Sequence, residues 1–233
     1  MHSYIAIQNT YHIFEVALFI NNALHDQLHE DKRYASKLLI PMLDRLLSRN
    51  NVHLSDLSFI VVNQGPGPFS TLRSIIATVN GLHCATKIPL VGIDGLDATL
   101  SEFYNNRYPW TVVLLNAFNN EVYYLLSHHQ QTIVKGYKKI DIFLKGLKEE
   151  IPIQPIHFIG NAAEMYLPFI KEIIGANAIT SEKIPPICSL QHIGSLGLAT
   201  FNNKEQLPGF LFPFHLKKHP VEEKKDLSSV FTQ

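Results

Sequence analysis

The turn Gly65-Pro66-Gly67-Pro68 is the stretch of this sequence best placed to do chemistry. Glycines between a strand and a helix are how backbone amides are gathered around an anion such as phosphate. A Walker-type loop, however, ends in Gly-Lys-Ser/Thr, and this turn continues as Phe69-Ser70-Thr71. Pro66 and Pro68 also remove two of the N–H groups such a cradle would use. The turn therefore reads first as a rigid strand-to-helix joint, in which Gly65 and Gly67 take backbone conformations closed to other residues, with anion binding as the alternative. Histidine pairs come next. His25 and His29 are four apart, but on a strand that spacing spreads them over about 13 Å. His215 and His219 share the spacing in an irregular, charged ending, and His128-His129 on a strand point to opposite faces. No HExxH or GxSxG is present. Cys84 and Cys188 have no cysteine near either, and both lie among apolar or small residues, as buried thiols do.

The elements that would position these residues follow from periodicity. Tyr4 to Gln8 alternates like a strand, Ile13 to Ile20 reads as a more buried one, and Leu24 to Glu30 as an edge strand. The turn Asn21-Asn22 makes the last two a hairpin. Ala35, Leu38, Leu39, Met42, Leu43, Leu46 and Leu47 then form one helical stripe, which Pro41 should kink or start late. Ser58 to Asn63 is a buried strand entering the glycine turn, and a helix follows from about Ser70 to Ala85. A strand at Leu90–Ile93 and a helix capped by Asp94 complete the half. After a polar stretch, strands at 111–115, 121–127 and 132–137 precede a helix at 141–149, a strand at 156–159 and helices at 162–174 and 190–201. The same order of elements given twice predicts an α/β fold of two ribonuclease-H-like lobes, with mixed sheets and flanking helices. The lobes are expected at 1–106 and 107–216, before a charged tail at 217–233 that the proline and the lysines of KKHPVEEKKD should leave without regular structure.

The chain has 233 residues, 46% of them hydrophobic and 17% charged, with Lys+Arg and Asp+Glu balanced at 20 each. This is a globular composition. A chain that grips nucleic acid alone usually carries a basic excess, because releasing counterions from phosphates supplies most of the affinity. No apolar run is long enough to span a bilayer and no signal-peptide pattern appears, so a cytoplasmic location without membrane contact is expected.

The segment Val61 to Leu100 resembles the signature of the TsaB (YeaZ) family, of the glycoprotease-like and actin-like superfamily. In that family a GPGSFTGLR stretch leads into a helix, an IPLVG strand and another helix. The matching residues are Gly65, Pro66, Gly67, Phe69, Leu72 and Arg73, then Ile88 to Gly92. LLIPMLDRLL, Glu121-Val122-Tyr123 and the Pro213 to Lys218 ending fit more loosely. The departures are Gln8 where actin-like strands end in Asp, Pro68 for Ser, Asn116 for Asp and Phe118 within the family's DARMGEVY stretch. Actin-like ATPases use such carboxylates to hold metal and orient water, so amides at Gln8 and Asn116 argue against phosphoryl chemistry.

The resemblance implies an actin-like ATPase superfold and a non-catalytic scaffold or activator role. The partner would be a TsaD-like catalytic paralogue, assisted by a TsaE-like ATPase, in making threonylcarbamoyladenosine at adenosine 37 of tRNA. ATP and metal would belong to those partners, no cofactor to this chain, and tRNA would be touched indirectly. The helix after the glycine turn carries a line of small residues, Ser74, Ala77, Thr78, Gly81 and Ala85, which admits close approach of another helix. That neighbour is either within the lobe or a partner docked there and on Leu38 and Met42, with a homodimer through the same helices as a further possibility. The rival reading is an ATP-dependent small-molecule kinase of the same superfold.

Overall fold

The structure is a computed structural model and describes residues 1–151, 153–203, 207–214, 216 and 217. Of the charged tail only Lys217 falls among them; His215 and His219 lie outside the described residues. The chain divides into two units. The first contains the strands β1 (Tyr4–Asn9), β2 (Ile13–Ile20), β3 (Ala23–Asp31), β4 (Phe59–Asn63) and β5 (Leu90–Ile93), with the helices α1 (Ala35–Arg49) and α2 (Phe69–Thr86). The second contains β6 (Trp110–Asn116), β7 (Glu121–His128), β8 (Gln131–Lys139), α4 (Ile140–Glu150), β9 (Ile156–Ile159), α5 (Asn161–Met165), α6 (Leu167–Ile174) and β10 (Ala178–Ile179). The division falls within α3 (Gly95–Phe103), after Ala98.

The first sheet runs β3-β2-β1-β4-β5 and the second β8-β7-β6-β9-β10, so the repeat read from element order extends to strand order. In each, the first three strands pair antiparallel and the last two join parallel. Asn21 and Asn22 both take positive φ, which matches the twist of the β2–β3 hairpin and suits asparagine. α1 runs through Pro41 from Ala35, so the proline does not delay its start. It buries Leu39, Met42, Leu43, Leu46 and Leu47 against the sheet, beside Leu72, Ile75, Ile76 and Val79 of α2. In the second unit Phe143, Leu144 and Leu147 of α4 and Ile170 of α6 cover the sheet in the same way.

The boundaries differ from the expected lobes. The last helix, α7 (Leu190–Asn202), belongs to the first unit, with residues 188–214, although it follows the second unit in sequence. Its Gly194 and Gly197 explain why. A side chain at Gly194 would collide with the ring of Phe19, and a Cβ at Gly197 would lie 2.5 Å from Val61 Cγ2, so only glycine lets α7 reach the sheet. There an aromatic stack forms, with Tyr4 stacked on Phe19 at 4.6 Å and on Phe59 at 4.4 Å, and Phe59 on Phe201 at 4.4 Å. Burial in this stack pushes the Tyr4 hydroxyl up to about 12. The expected helix at 162–174 is broken at Tyr166, because Pro168 in the first turn of α6 lacks the N–H that a continuous helix would use.

Asp26 on β3 ties the edge strand to the end of α1. Its carboxylate accepts from the Arg49 guanidinium and, at 2.6 Å, from Asn50 Nδ2, and Arg49 holds it below the usual carboxylate range. Asp26→Asn is expected to cost about 1 kcal/mol at neutral pH, the scale of a partly exposed bidentate pair. A carboxyl depressed in the folded state stabilises only while ionised, so the difference fades as pH falls through and below the carboxylate range. Urea unfolding of both forms at neutral and strongly acid pH checks it.

Candidate functional site

β1 and β4 lie side by side in parallel, and their C-terminal ends bring Gln8 and Asn63 together. Both side chains are buried, Gln8 at 1% exposure. Gln8 Nε2 donates to the Cys188 carbonyl at 2.9 Å, Asn63 Nδ2 donates to Gln8 Oε1 at 2.8 Å, and the Gly65 amide donates to Asn63 Oδ1 at 2.9 Å. Cys188 Sγ lies 3.6 Å from the same Gln8 oxygen. Two neutral amides thus connect the start of the α7 segment to the glycine turn, and Gln8 also hydrogen-bonds the carboxyl of Glu15 opposite it on β2, which burial pushes above the usual carboxylate range. The next residue, Asn9, has its side-chain amide buried and without a hydrogen-bond partner among the described residues.

The turn is locked on both sides. Gly65 has φ of +99°, and a Cβ there would lie 2.7 Å from Leu72 Cδ2. Its carbonyl accepts from Gly95 N at 2.7 Å. Gly67 is different: its φ is not positive and a Cβ would meet nothing within 4 Å, so the conformational demand expected at both glycines exists only at Gly65. α2 begins after Pro68 with no side-chain cap.

Asn116, at the matching end of β6, also holds a turn. Its Oδ1 accepts from the Phe118 amide at 2.8 Å, while its own N–H donates to Asn161 Oδ1 at 3.0 Å. Phe118, Asn119 and Asn120 all take positive φ, a conformation that suits the asparagines and strains the phenylalanine, which is left exposed.

α2 presents three faces. Leu72, Ile75, Ile76 and Val79 enter the core. On one flank Asn80 makes a paired contact with the chain ending: Nδ2 donates to the Leu211 carbonyl and the Leu211 amide donates to Asn80 Oδ1, both at 2.9 Å. Gln64 Nε2 donates to the Phe212 carbonyl at 2.7 Å, and the Phe214 amide to the Gln64 carbonyl at 2.8 Å. Leu211 is thereby buried in the core, while Phe210 and Phe212 on either side of it are exposed at 49% and 74%. The third face is open. Arg73, Ala77, Gly81, Cys84 and Ala85 are exposed, Ser74 and Thr78 half-buried, and a Cβ on Gly81 would meet nothing within 4 Å. Phe69, 55% exposed, lies under the Arg73 guanidinium at 4.9 Å.

The small-residue line is therefore exposed at Ala77, Gly81 and Ala85, and among the described residues nothing lies within 4 Å of a Cβ on Gly81. Leu38 is half-buried at the core's edge, and Met42 is buried at 5%, so it serves the core and Ile40 is the apolar residue that α1 exposes. Cys84 is exposed, contrary to expectation, and Cys188 is buried. Asn80 and the chain ending were not foreseen; the alternation of Phe210, Leu211 and Phe212 was the available signal. The rings of His128 and His129 lie 4.4 Å apart, closer than opposite strand faces would allow, because His129 leaves the strand with positive φ. Among the described residues no group of three or more His, Cys, Asp or Glu could hold a metal ion, and no helix is long and apolar enough to cross a membrane.

Gln8→Glu is expected to destabilise the fold by about 3 kcal/mol at neutral pH, because it buries a carboxylate beside the carboxyl of Glu15. The folded form would then bind the proton more tightly than the unfolded form, so the loss shrinks as pH falls. A protonated carboxyl can also donate to the Cys188 carbonyl as the amide does. Denaturant unfolding across the acid range reads this directly.

A family model described as TsaD, tRNA N6-adenosine threonylcarbamoyltransferase, matches residues 25–207. The tRNA threonylcarbamoyladenosine biosynthesis protein TsaB of Buchnera aphidicola subsp. Acyrthosiphon pisum is 23% identical over 122 residues, 52% of this chain and 55% of that protein. TsaB of Escherichia coli K12 is 24% identical over 92 residues, 40% of each. The alignments thus span about half the length of these relatives. YeaZ from Pseudomonas aeruginosa superimposes with a TM-score of 0.68 at 20% identity, over 93% of this chain and 100% of that one. An uncharacterized Pseudomonas aeruginosa protein similar to peptidase YEAZ reaches 0.72 at 18% identity, with the same coverage. The fold is the actin-like one that these neighbours share. By the reach of the family model, the chain belongs to the TsaD family, and within it the relatives it resembles are TsaB (YeaZ) proteins.

Proposed function

We propose that this chain is the non-catalytic scaffold subunit of a tRNA threonylcarbamoyladenosine-forming complex, docking a TsaD-like catalytic paralogue on the open face of α2. The names of its relatives supply the pathway. The observation that carries the docking surface is Gly81. A glycine within a helix costs about 1 kcal/mol relative to alanine, and close packing is the usual reason to keep one. Among the described residues no atom uses the space that Gly81 leaves, so a helix arriving from outside is the neighbour that would. Ala77 and Ala85 extend the same open line, and the exposed rings of Phe69, Phe210 and Phe212 supply aromatic surface on the same unit. Rigid aromatic side chains of that kind anchor interfaces.

The non-catalytic part of the reading rests on the amide relay. Gln8 has both ends of its amide engaged inside the protein. A site that positioned metal and water for phosphoryl transfer would place a carboxylate where these neutral amides are. ATP and metal would accordingly come with the TsaD-like and TsaE-like partners, and tRNA would be held mainly by them. The balanced charge of the chain agrees with that division of labour.

Gly81→Leu and Ala77→Trp are expected to leave stability within about 0.5 kcal/mol, as exposed helix substitutions do. Both should abolish stoichiometric co-elution with the TsaD-like protein of the same organism in size exclusion. Wild-type affinity in either folded variant would remove α2 from the interface. Mg²⁺-dependent thermal stabilisation of the isolated chain by ATP would instead favour the kinase reading.

A further inference from the structure

β7 ends at His128 and β8 begins at Gln131; the two residues pair across the strands and leave His129 and Gln130 as a two-residue turn. Both turn residues take positive φ, +46° at His129 and +67° at Gln130, the pattern of a type I′ hairpin. Asn-Gly and Asp-Gly dominate such turns, and His-Gln is an uncommon choice. The turn is fixed from one side by the His129 amide, which donates to the Pro109 carbonyl at 2.8 Å. This conformation swings the His129 ring round to its neighbour. The rings of His128 and His129 lie 4.4 Å apart at 61°, where a continued strand would have sent them to opposite faces.

That separation can be compared with what a shared metal ion requires. A metal about 2.0 Å from a ring nitrogen lies about 3.2 Å from the ring centroid. Two imidazoles on adjacent corners of a square then have centroids about 4.5 Å apart, and on two corners of a tetrahedron about 5.2 Å. The observed spacing matches the square arrangement, which Cu²⁺ and Ni²⁺ prefer. His129 is exposed and His128 half-buried, so the pair is open to solvent. Behind it stands Trp110, the cross-strand partner of His128, with its ring 4.4 Å from the imidazole and its indole N–H donating to Gln154 Oε1 at 2.7 Å. Among the described residues no third His, Cys, Asp or Glu joins the two imidazoles, so water would fill the other positions.

We propose that His128 and His129 form a surface site for Cu²⁺, with Ni²⁺ the next best fit, through one nitrogen of each imidazole. Imidazole is a ligand for divalent transition metals, among which Cu²⁺ heads the affinity order, while Mg²⁺ demands oxygen. The bound ion would tie the end of β7 to its turn and so hold the hairpin in its uncommon conformation. The site lies wholly within residues 99–187, so the inference stands independently of docking on α2.

The chain has 12 histidines but one tryptophan, Trp110, so quenching of indole fluorescence reads this site above the others. The test is a CuCl₂ titration of the full-length chain at neutral pH, with Cys84→Ser as the background because that exposed thiol would bind Cu²⁺ itself. Saturable quenching with a Kd of about 10–100 µM is expected. NiCl₂ should act about tenfold more weakly and MgCl₂ not at all. Protons compete for the same nitrogens, so the affinity should fall as the solution is acidified through the histidine range. His129→Asn gives the turn a residue it prefers, so it removes a ligand while keeping the fold. It should raise the Cu²⁺ midpoint about tenfold or more, and His128→Gln should do the same. Quenching that does not saturate by about 1 mM Cu²⁺ overturns the proposal. An unchanged midpoint in either variant does so too, because the ion would then sit on other histidines.

Discussion

The side-chain amides of Gln8 and Asn63 bridge the ends of two parallel strands, and the arrangement of the first unit depends on that bridge. Asn63 holds the Gly65 amide, Gly65 in turn receives the Gly95 amide on its carbonyl, and Gln8 donates to the Cys188 carbonyl. The start of α2, the start of α3 and the approach to α7 are therefore all referred to one pair of buried, neutral side chains. Gln8 also hydrogen-bonds the carboxyl of Glu15, its cross-strand partner on β2, which burial pushes above the usual carboxylate range. A further carboxylate at Gln8 would face that group across the strand pair, at a joint built from amides.

The second unit repeats the strand order and reuses the device in weaker form. Asn116 stands at the end of β6 as Gln8 stands near the end of β1, and it caps a turn of three residues at positive φ. The faces of the two sheets diverge more than their frames do. In the first unit the face away from α1 and α2 is closed by α7 and the stack of Tyr4, Phe59 and Phe201. The corresponding row in the second unit is Ser127, Thr111 and His157, hydroxyls and an imidazole where the first has aromatic rings. One frame thus supports a dry contact in one unit and a polar row in the other. The difference arises from a few side chains at fixed register positions.

Local signals in the sequence account for most of the frame. Asn21-Asn22 states its hairpin, Leu90–Ile93 and Ile156–Ile159 are bounded as read, and Asp94 caps α3 through the Leu96 amide at 2.8 Å. What escaped the reading was non-local or too short. β10 has two residues, below the length at which alternation can be seen. The placement of α7 depends on Gly194 and Gly197 meeting Phe19 and Val61, contacts that no local period records. The pairing of Asn80 with Leu211 spans 131 positions. Cys84 departs from its expected burial for a related reason: a helical stripe states which residues share a face, but burial of its edges depends on the neighbour that arrives. Pro168 is a different case, since its break in the helix was readable and was passed over.

Helical glycines give the physical contrast on which the proposed docking surface rests. Gly194 and Gly197 carry the conformational cost of glycine in a helix, and the structure shows what offsets it: a phenyl ring and a valine occupy the space where a side chain would be, bringing α7 onto the sheet. Gly81 carries the same cost on α2, with open space above it. The flank beside it is not left to chance, because Asn80 and Gln64 together hold Leu211, Phe212 and Phe214 by four hydrogen bonds. A helix flanked by so firmly held a segment gains nothing internal from a bare, small-residue crest. The same logic that explains α7 inside the chain is what motivates the proposal of a second helix docked on α2 from outside it.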